Sequence, residues 1–235
     1  MSKGKLYLIP TPLGATTEAT IPPYVIQILH RLDYFIAERA KTARHFIKNT
    51  EPVKPFADLT FFELNKRTLP EELNTFLDPA KAGNDIGLLS EAGCPGVADP
   101  GAEVVKMAHQ NDIEVIPLVG PSSILLALMA SGMDGQSFAF QGYLSPKPFE
   151  LAKDLKKLEQ QSIKHRQTQI FIETPYRNNK LIEQAIKTLA LNTRFCVAAN
   201  LTTEQEYIKT RTIKGWKQQK APDLHKVPVI FLIQG

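Results

Sequence analysis

Cysteine is almost absent: Cys94 and Cys196 are the only two in 235 residues, and they stand far apart. That excludes a disulfide framework and fits a reducing, cytoplasmic setting. The five histidines, His30, His45, His109, His165 and His225, have no paired spacing, so no metal site is expected. No apolar run approaches the roughly 20 residues that span a bilayer. The opening Met1-Ser2-Lys3-Gly4-Lys5 does not read as a signal peptide. No membrane partner is expected. Three familiar catalytic signatures are also missing. No G-x-G-x-x-G follows the first strand, there is no G-x-x-x-x-G-K-[ST], and there is no G-x-S-x-G elbow. Neither charge sign dominates: 28 Lys and Arg face 24 Asp and Glu, a net charge of +4. That balance permits RNA binding without demanding it.

What is present is an ordinary globular composition, 43% hydrophobic and 22% charged, long enough for one large domain or two modest ones. Lys5-Leu6-Tyr7-Leu8-Ile9 reads as a first strand ended by Pro10. Pro22-Pro23 opens a helix carrying Val25, Ile26, Ile28, Leu29 and Leu32. Tyr34 to Ala37 is a strand, 42–48 a short helix and 69–82 another helix. Asp85 to Leu89 is an apolar run typical of a buried parallel strand. A helix over 101–110, a strand over 114–117 and an apolar helix over 124–130 follow. The second half reads as strands at 138–140, 169–173, 194–199, 207–213 and 227–233, with helices at 149–161 and 178–189. Repeated strand–helix alternation argues for an α/β fold with parallel sheets. Strands in succession near the end imply a mixed second sheet. Pro117, Gly120 and Pro121 punctuate a boundary, which gives domains 1–119 and 120–235.

Three Gly- and Pro-rich loops follow predicted strand ends: Pro10 to Gly14, Ser90 to Gly101, and Gly120 to Ser123. In open α/β sheets ligands bind at the carboxyl ends of strands. Any one such loop is most often a plain turn; three in one chain argue for a site. No nucleophile–base pair stands out. That suits a reaction that needs alignment more than covalent chemistry, such as methyl transfer from a sulfonium.

Taken together, these loops resemble those of the tetrapyrrole methylase superfamily, the class III S-adenosylmethionine-dependent methyltransferases. Within it they most resemble the ribosomal RNA small-subunit methyltransferase I family. The resemblance rests on Tyr7-Leu8-Ile9-Pro10-Thr11-Pro12-Leu13-Gly14, on Ser90-Glu91-Ala92-Gly93-Cys94-Pro95 with Ala98-Asp99-Pro100-Gly101, on Val119-Gly120-Pro121-Ser122-Ser123, and on Glu173-Thr174-Pro175-Tyr176-Arg177. It implies two α/β domains with S-adenosylmethionine in a cleft between them, a homodimer, and methylation of a ribose 2′-hydroxyl of ribosomal RNA. By motif position it implies a cofactor pocket of Gly93, Cys94, Pro95 and Val97, then Ser122, Ser123 and Ile124, completed by Leu13, Ile172 and Ala199. The chain departs from the family at Ala37-Glu38-Arg39-Ala40-Lys41, where the family has Ala-Glu-Asp-Thr-Arg. It departs again at Ala199-Asn200-Leu201-Thr202, where the family has Ala-Arg-Glu-Leu. Both departures bear on the acceptor more than on the cofactor. Two other readings therefore stay open: a tetrapyrrole-like or protein acceptor on the same fold, and a cofactor-binding protein without catalysis.

Glu38, at a strand end, is the candidate to orient or deprotonate an acceptor hydroxyl, with Lys41 nearby; otherwise it is a cap or an ion pair. Arg177 is the candidate phosphate holder, weighed against a salt bridge at a helix start. Asp99 is expected to cap the following helix, and Cys94 to be a small pocket residue rather than a nucleophile. Tyr143 and Phe149 are candidates for stacking on a base, but core packing is the favoured expectation. The basic clusters at 147–166 and 209–220 read first as solvated faces and second as a phosphate-tracking surface.

Overall fold

The computed structural model describes residues 2–14 and 19–235. The chain divides into two compact units, 1–122 and 123–235.

In the first unit, strands β1 (Leu6–Ile9), β2 (Tyr34–Ala37), β3 (Thr60–Glu63), β4 (Ile86–Leu89) and β5 (Val115–Pro117) form one sheet in the order β3-β2-β4-β1-β5. Every pairing is parallel. The crossovers carry helices α1 (Pro23–Arg31), α2 (Ala40–Lys48), α3 (Pro70–Thr75), α4 (Asp78–Lys81) and α5 (Gly101–Gln110). Alternate strand residues point to opposite faces, and each face has its own core. Leu6, Ile36, Ile86 and Leu88 pack with Leu77, Ala80, Val104 and Ala108 from the α4 and α5 side. Ile9, Phe35, Ala37 and Leu89 pack with Val25, Leu29, Ala43 and Phe46 from α1 and α2. A parallel sheet covered on both faces explains why β4 is apolar at every position.

Two local outcomes differ from the sequence reading. The helix expected over 69–82 is two helices, α3 and α4, parted at Phe76 and Leu77. Pro79 is the reason: it lacks an N–H and is tolerated in a first turn, which is where α4 places it. Strand β3 was not expected. Its Phe61 and Phe62 are both half-buried, so it lacks the period-two alternation that marks a strand.

The second unit holds a mixed sheet of β6 (Phe138–Tyr143), β7 (Thr168–Ile172), β8 (Arg194–Ala199), β9 (Tyr207–Thr212) and β10 (Val229–Gln234), in the order β6-β7-β10-β8-β9. Only β6 and β7 pair in parallel; the other pairs are antiparallel. Helices α7 (Pro148–His165), α8 (Asn178–Thr188) and α9 (Ile213–Lys217) cover one face, and α6 (Ser123–Ser131) the other. Phe171, Phe231 and Phe195 stack across β7, β10 and β8 with centroids 5.8 and 5.9 Å apart. Trp216 closes this core and donates its indole N–H to the Phe195 carbonyl at 2.8 Å. Cys196 lies in the α6-side core, where burial pushes its thiol up to about 11 and leaves it inert. No helix among the described residues is long and apolar enough to cross a membrane.

Tyr143 and Phe149 are corrections. They are 60% and 71% exposed, not core residues. One ends β6 and the other sits in the first turn of α7, where neither sheet face covers them.

Phe231 is fully buried in the middle of the aromatic stack. Phe231→Ala is expected to destabilise the second unit by about 3–5 kcal/mol. Trp216 is the single tryptophan, so its fluorescence during urea unfolding reports that unit selectively. An unchanged midpoint would contradict this account of the core.

Candidate active site

The loops that follow β4, β1 and β5 leave the carboxyl ends of three adjacent parallel strands. Backbone and side-chain contacts bind them together. Thr11 and Gly93 exchange both of their backbone hydrogen bonds, each 3.0 Å long, as an isolated antiparallel bridge. The buried Ser90 hydroxyl donates to the Gly93 carbonyl at 2.6 Å. The Thr11 hydroxyl, also buried, lies 3.2 Å from the Ser90 carbonyl and 3.3 Å from its hydroxyl. The first two loops are thus clamped by groups that have left water together and satisfy one another.

Gly93 sits where the third loop joins them. Its φ is +78°, and a Cβ there would lie 3.1 Å from Leu13 Cδ2 and 3.3 Å from the Pro121 carbonyl oxygen. Both the backbone conformation and the crowding call for glycine. Gly120 is under a similar constraint: a Cβ would lie 2.2 Å from the Pro10 ring. The Cys94 thiol donates to the Pro121 carbonyl at 3.4 Å, and the Val119 N–H donates to the Tyr24 hydroxyl of α1 at 3.0 Å. Cys94 is half-buried and burial raises its thiol, which agrees with a packing residue rather than a nucleophile.

Farther along the second loop, Asp99 Oδ1 accepts from the Gly96 N–H at 2.8 Å and the Gly101 N–H at 2.7 Å. It ties the loop to the first residue of α5 from one position before the cap, which is Pro100, so it fixes the helix entry without being the cap itself. Burial raises the Asp99 carboxyl, and those two N–H groups pull it back. Between them Ala98 has φ +59°, a left-handed backbone in a non-glycine residue. Such a residue costs about 1–3 kcal/mol and persists only where its surroundings fix it. Pro95 is buried, while Val97 is 49% exposed.

Glu38 follows β2 and is half-buried. It caps nothing: the N–H of Ala40, at the start of α2, goes to Glu63 Oε1 at 2.8 Å instead. Glu38 makes no hydrogen bond or ion pair among the described residues, so neither alternative role applies. Burial raises its carboxyl above the ordinary value, and the negative charges of Glu91 and Asp99 raise it further. A carboxylate held in this way is a better base than one in water. No group of three His, Cys, Asp or Glu among the described residues could hold a metal ion.

Ser122 ends the first unit and Ser123 opens the second as the first residue of α6; both are half-buried. Ile124 and Ile172 pack at the rim of the α6-side core. Ala199 is fully buried on the opposite face, so its methyl is consumed by core packing. The backbone beyond it is left-handed at Asn200 (φ 51°) and Thr202 (φ 70°). The Thr202 N–H is held by Glu206 Oε2 at 2.9 Å, while its buried hydroxyl has no partner among the described residues. Arg177 forms the ion pair foreseen as its alternative role. Its Nη2 and Nε lie 2.5 and 3.0 Å from Oε1 of Glu173, whose side chain is 2% exposed. Arg177 and Glu38 therefore belong to separate units.

The sequence reading missed the clamp itself. Thr11 and Ser90 are 79 positions apart, and nothing local marks them as partners.

Residues 5–215 match the family described as tetrapyrrole (corrin/porphyrin) methylases. The ribosomal RNA small subunit methyltransferase I of Bacillus subtilis is 32% identical over 92% of this chain and 71% of its own. The protein of the same name from Synechocystis is 30% identical over 90% of this chain and 72% of its own. The crystal structure of the methyltransferase CobJ shares the fold, with a TM-score of 0.63 at 18% identity, covering 99% of this chain and 94% of that one. By loops, sheets and sequence alike, the chain belongs to the tetrapyrrole methylase family, beside the ribosomal RNA small subunit methyltransferase I proteins, and is a methyltransferase.

Proposed function

We propose that this enzyme uses S-adenosylmethionine to methylate a ribose 2′-hydroxyl of small-subunit ribosomal RNA. The observation that carries the reading is the clamped loop cluster around Gly93, built on the motif the chain shares with its family. The names of the Bacillus and Synechocystis relatives support the RNA acceptor. A setting in the cytoplasm, where ribosomes are assembled, goes with it.

The residues present fit the cofactor. Gly93, Cys94 and Pro95 offer a rigid, closely packed backbone, and Val97 and Leu13 offer apolar surface for a nucleoside. The three carboxylates Glu38, Glu91 and Asp99 make the neighbourhood negative, which favours a sulfonium cation. Ser122, Ser123, Ile124, Ile172 and the Ala199 backbone are proposed as further cofactor contacts from their positions in the family motifs alone. When bound, the cofactor supplies a methyl group already activated for displacement. The chain's task is then to align the acceptor oxygen and remove its proton. Glu38 takes that proton in our reading. Its raised carboxyl, with no hydrogen bond or ion pair among the described residues, is suited to a weakly acidic hydroxyl. Arg177, oriented by Glu173, holds substrate phosphate.

The partner of the α6 surface is proposed to be a second copy of the chain. Helix α6 is apolar nearly all round, and Met129 on it is 79% exposed. A helix of that kind is ordinarily covered. Light scattering is expected to give twice the 26.2 kDa chain mass, and Met129→Lys to shift the population toward monomer. A monomeric parent protein would refute the dimer.

Methyl transfer is tested with labelled cofactor and undermodified small ribosomal subunits. The expected label lies in RNA and makes the adjoining linkage resistant to alkaline cleavage; label on a base or in protein would refute the ribose reading. Glu38 must be ionised to act, so activity is expected to rise with pH through an acid limb above the ordinary carboxylate range. Glu38→Gln is expected to lose about 10²–10⁴-fold in kcat and to lose that limb. An unchanged profile would remove Glu38 from the mechanism.

A further inference from the structure

A second concavity lies wholly within the second unit, between the loop entering α7 and the exposed side of α8. Its volume is about 420 Å³. Ser145, Pro146 and Pro148 form one wall; Arg177, Lys180 and Lys187 stand on the other. The spacing of these cations has a simple cause. Positions 177, 180, 184 and 187 recur at three and four residues, so they fall on one stripe of the helix. Leu181 lines the groove from its buried side, and Ile182 turns away into the core.

The charges in this groove are unusually arranged. Neither Lys180 nor Lys187 has a carboxylate within 4.0 Å among the described residues. Of the two lining carboxylates, Glu173 is buried and committed to Arg177 and to the Thr174 N–H, which leaves Glu183 alone on the surface. A buried carboxylate is costly to desolvate, and here it fixes a guanidinium at the edge of an open groove. The two wall prolines make the opposite side stiff. Exposed aromatic rings, Tyr143 and Phe149, flank that wall in sequence, and Lys153 Nζ sits 4.2 Å from the Phe149 ring centroid.

We propose that this groove takes the phosphate backbone of a single-stranded RNA segment, with Lys180 and Lys187 contacting phosphates and the flanking rings available to bases. The inference rests on the RNA reading above and extends the phosphate contacts from Arg177 along α8. A cationic groove that tracks the backbone, together with exposed aromatic rings, is how single strands are held without sequence readout; here the groove carries the cations, and the exposed rings Tyr143 and Phe149 lie close to its wall in sequence. From Lys180 to Lys187 the helix advances about 10 Å, so the two lysines meet separate phosphates.

The test is fluorescence anisotropy with a short single-stranded oligoribonucleotide and the full chain, over a range of salt. The double variant Lys180→Ala/Lys187→Ala is expected to bind at least tenfold more weakly. Its dependence of log affinity on log salt is expected to be shallower by about 0.7 for each lysine removed. Glu183→Gln is expected to bind a few-fold more tightly, a gain that loss of folding cannot mimic. Parent-like affinity and salt slope in the double variant would overturn the groove and leave the RNA reading standing. Absence of RNA binding by the parent chain would overturn both. Displacement of the RNA by an equal charge of polyglutamate would assign the groove to an acidic peptide and overturn the proposal.

Discussion

Two backbone hydrogen bonds between Thr11 and Gly93 are the constraint on which the rest of the site depends. They lie beyond the ends of β1 and β4, where the sheet ladder has stopped, and they carry its order into the loops. Ser90 and Thr11 lock the same crossing with their hydroxyls. With the crossing fixed, the Pro121 carbonyl and Leu13 close on Gly93 from two sides, and no side chain fits there. The result is a rigid surface made mostly of backbone. An enzyme that must align two partners, and needs no covalent intermediate, gains rate from such rigidity.

Charge is distributed in keeping with that task. The first unit gathers Glu38, Glu91 and Asp99: burial raises Glu38, and the charges of the other two raise it further. The second unit presents lysines and an arginine along α8. Negative charge suits a cationic methyl donor, and positive charge suits a nucleic acid. Asp99 shows how a carboxylate in such company can still be structural, since its Oδ1 is taken by two backbone N–H groups. Glu38 has no such partner among the described residues, and that difference is why the proposed base is Glu38 and not Asp99.

Much of the fold was legible because covered sheets write themselves plainly. Runs such as Ile86–Leu89 and Phe195–Ala199 are apolar at every position because both faces are buried. Strand β3 was not legible, since Thr60 and Glu63 are exposed at the edge of the sheet and the two phenylalanines between them do not alternate. The loops of the site were visible through glycine and proline, residues whose backbone needs are local. The clamp was not, because it joins hydroxyls 79 positions apart. Tyr143 and Phe149 were misjudged because aromatic side chains usually carry enough apolar area to be drawn inward; at a strand end and in a first helical turn, nothing covers them. Arg177 could be read only as one of two alternatives, since the buried state of Glu173 depends on the fold.

The central claim is that the Gly93 crossing holds the cofactor. Calorimetric titration of the parent chain and of Gly93→Ala with S-adenosylhomocysteine tests it most directly, with circular dichroism to verify that both remain folded. The account predicts one site per chain in the parent and affinity at least tenfold weaker in the variant. Equal affinity in two folded proteins would contradict it.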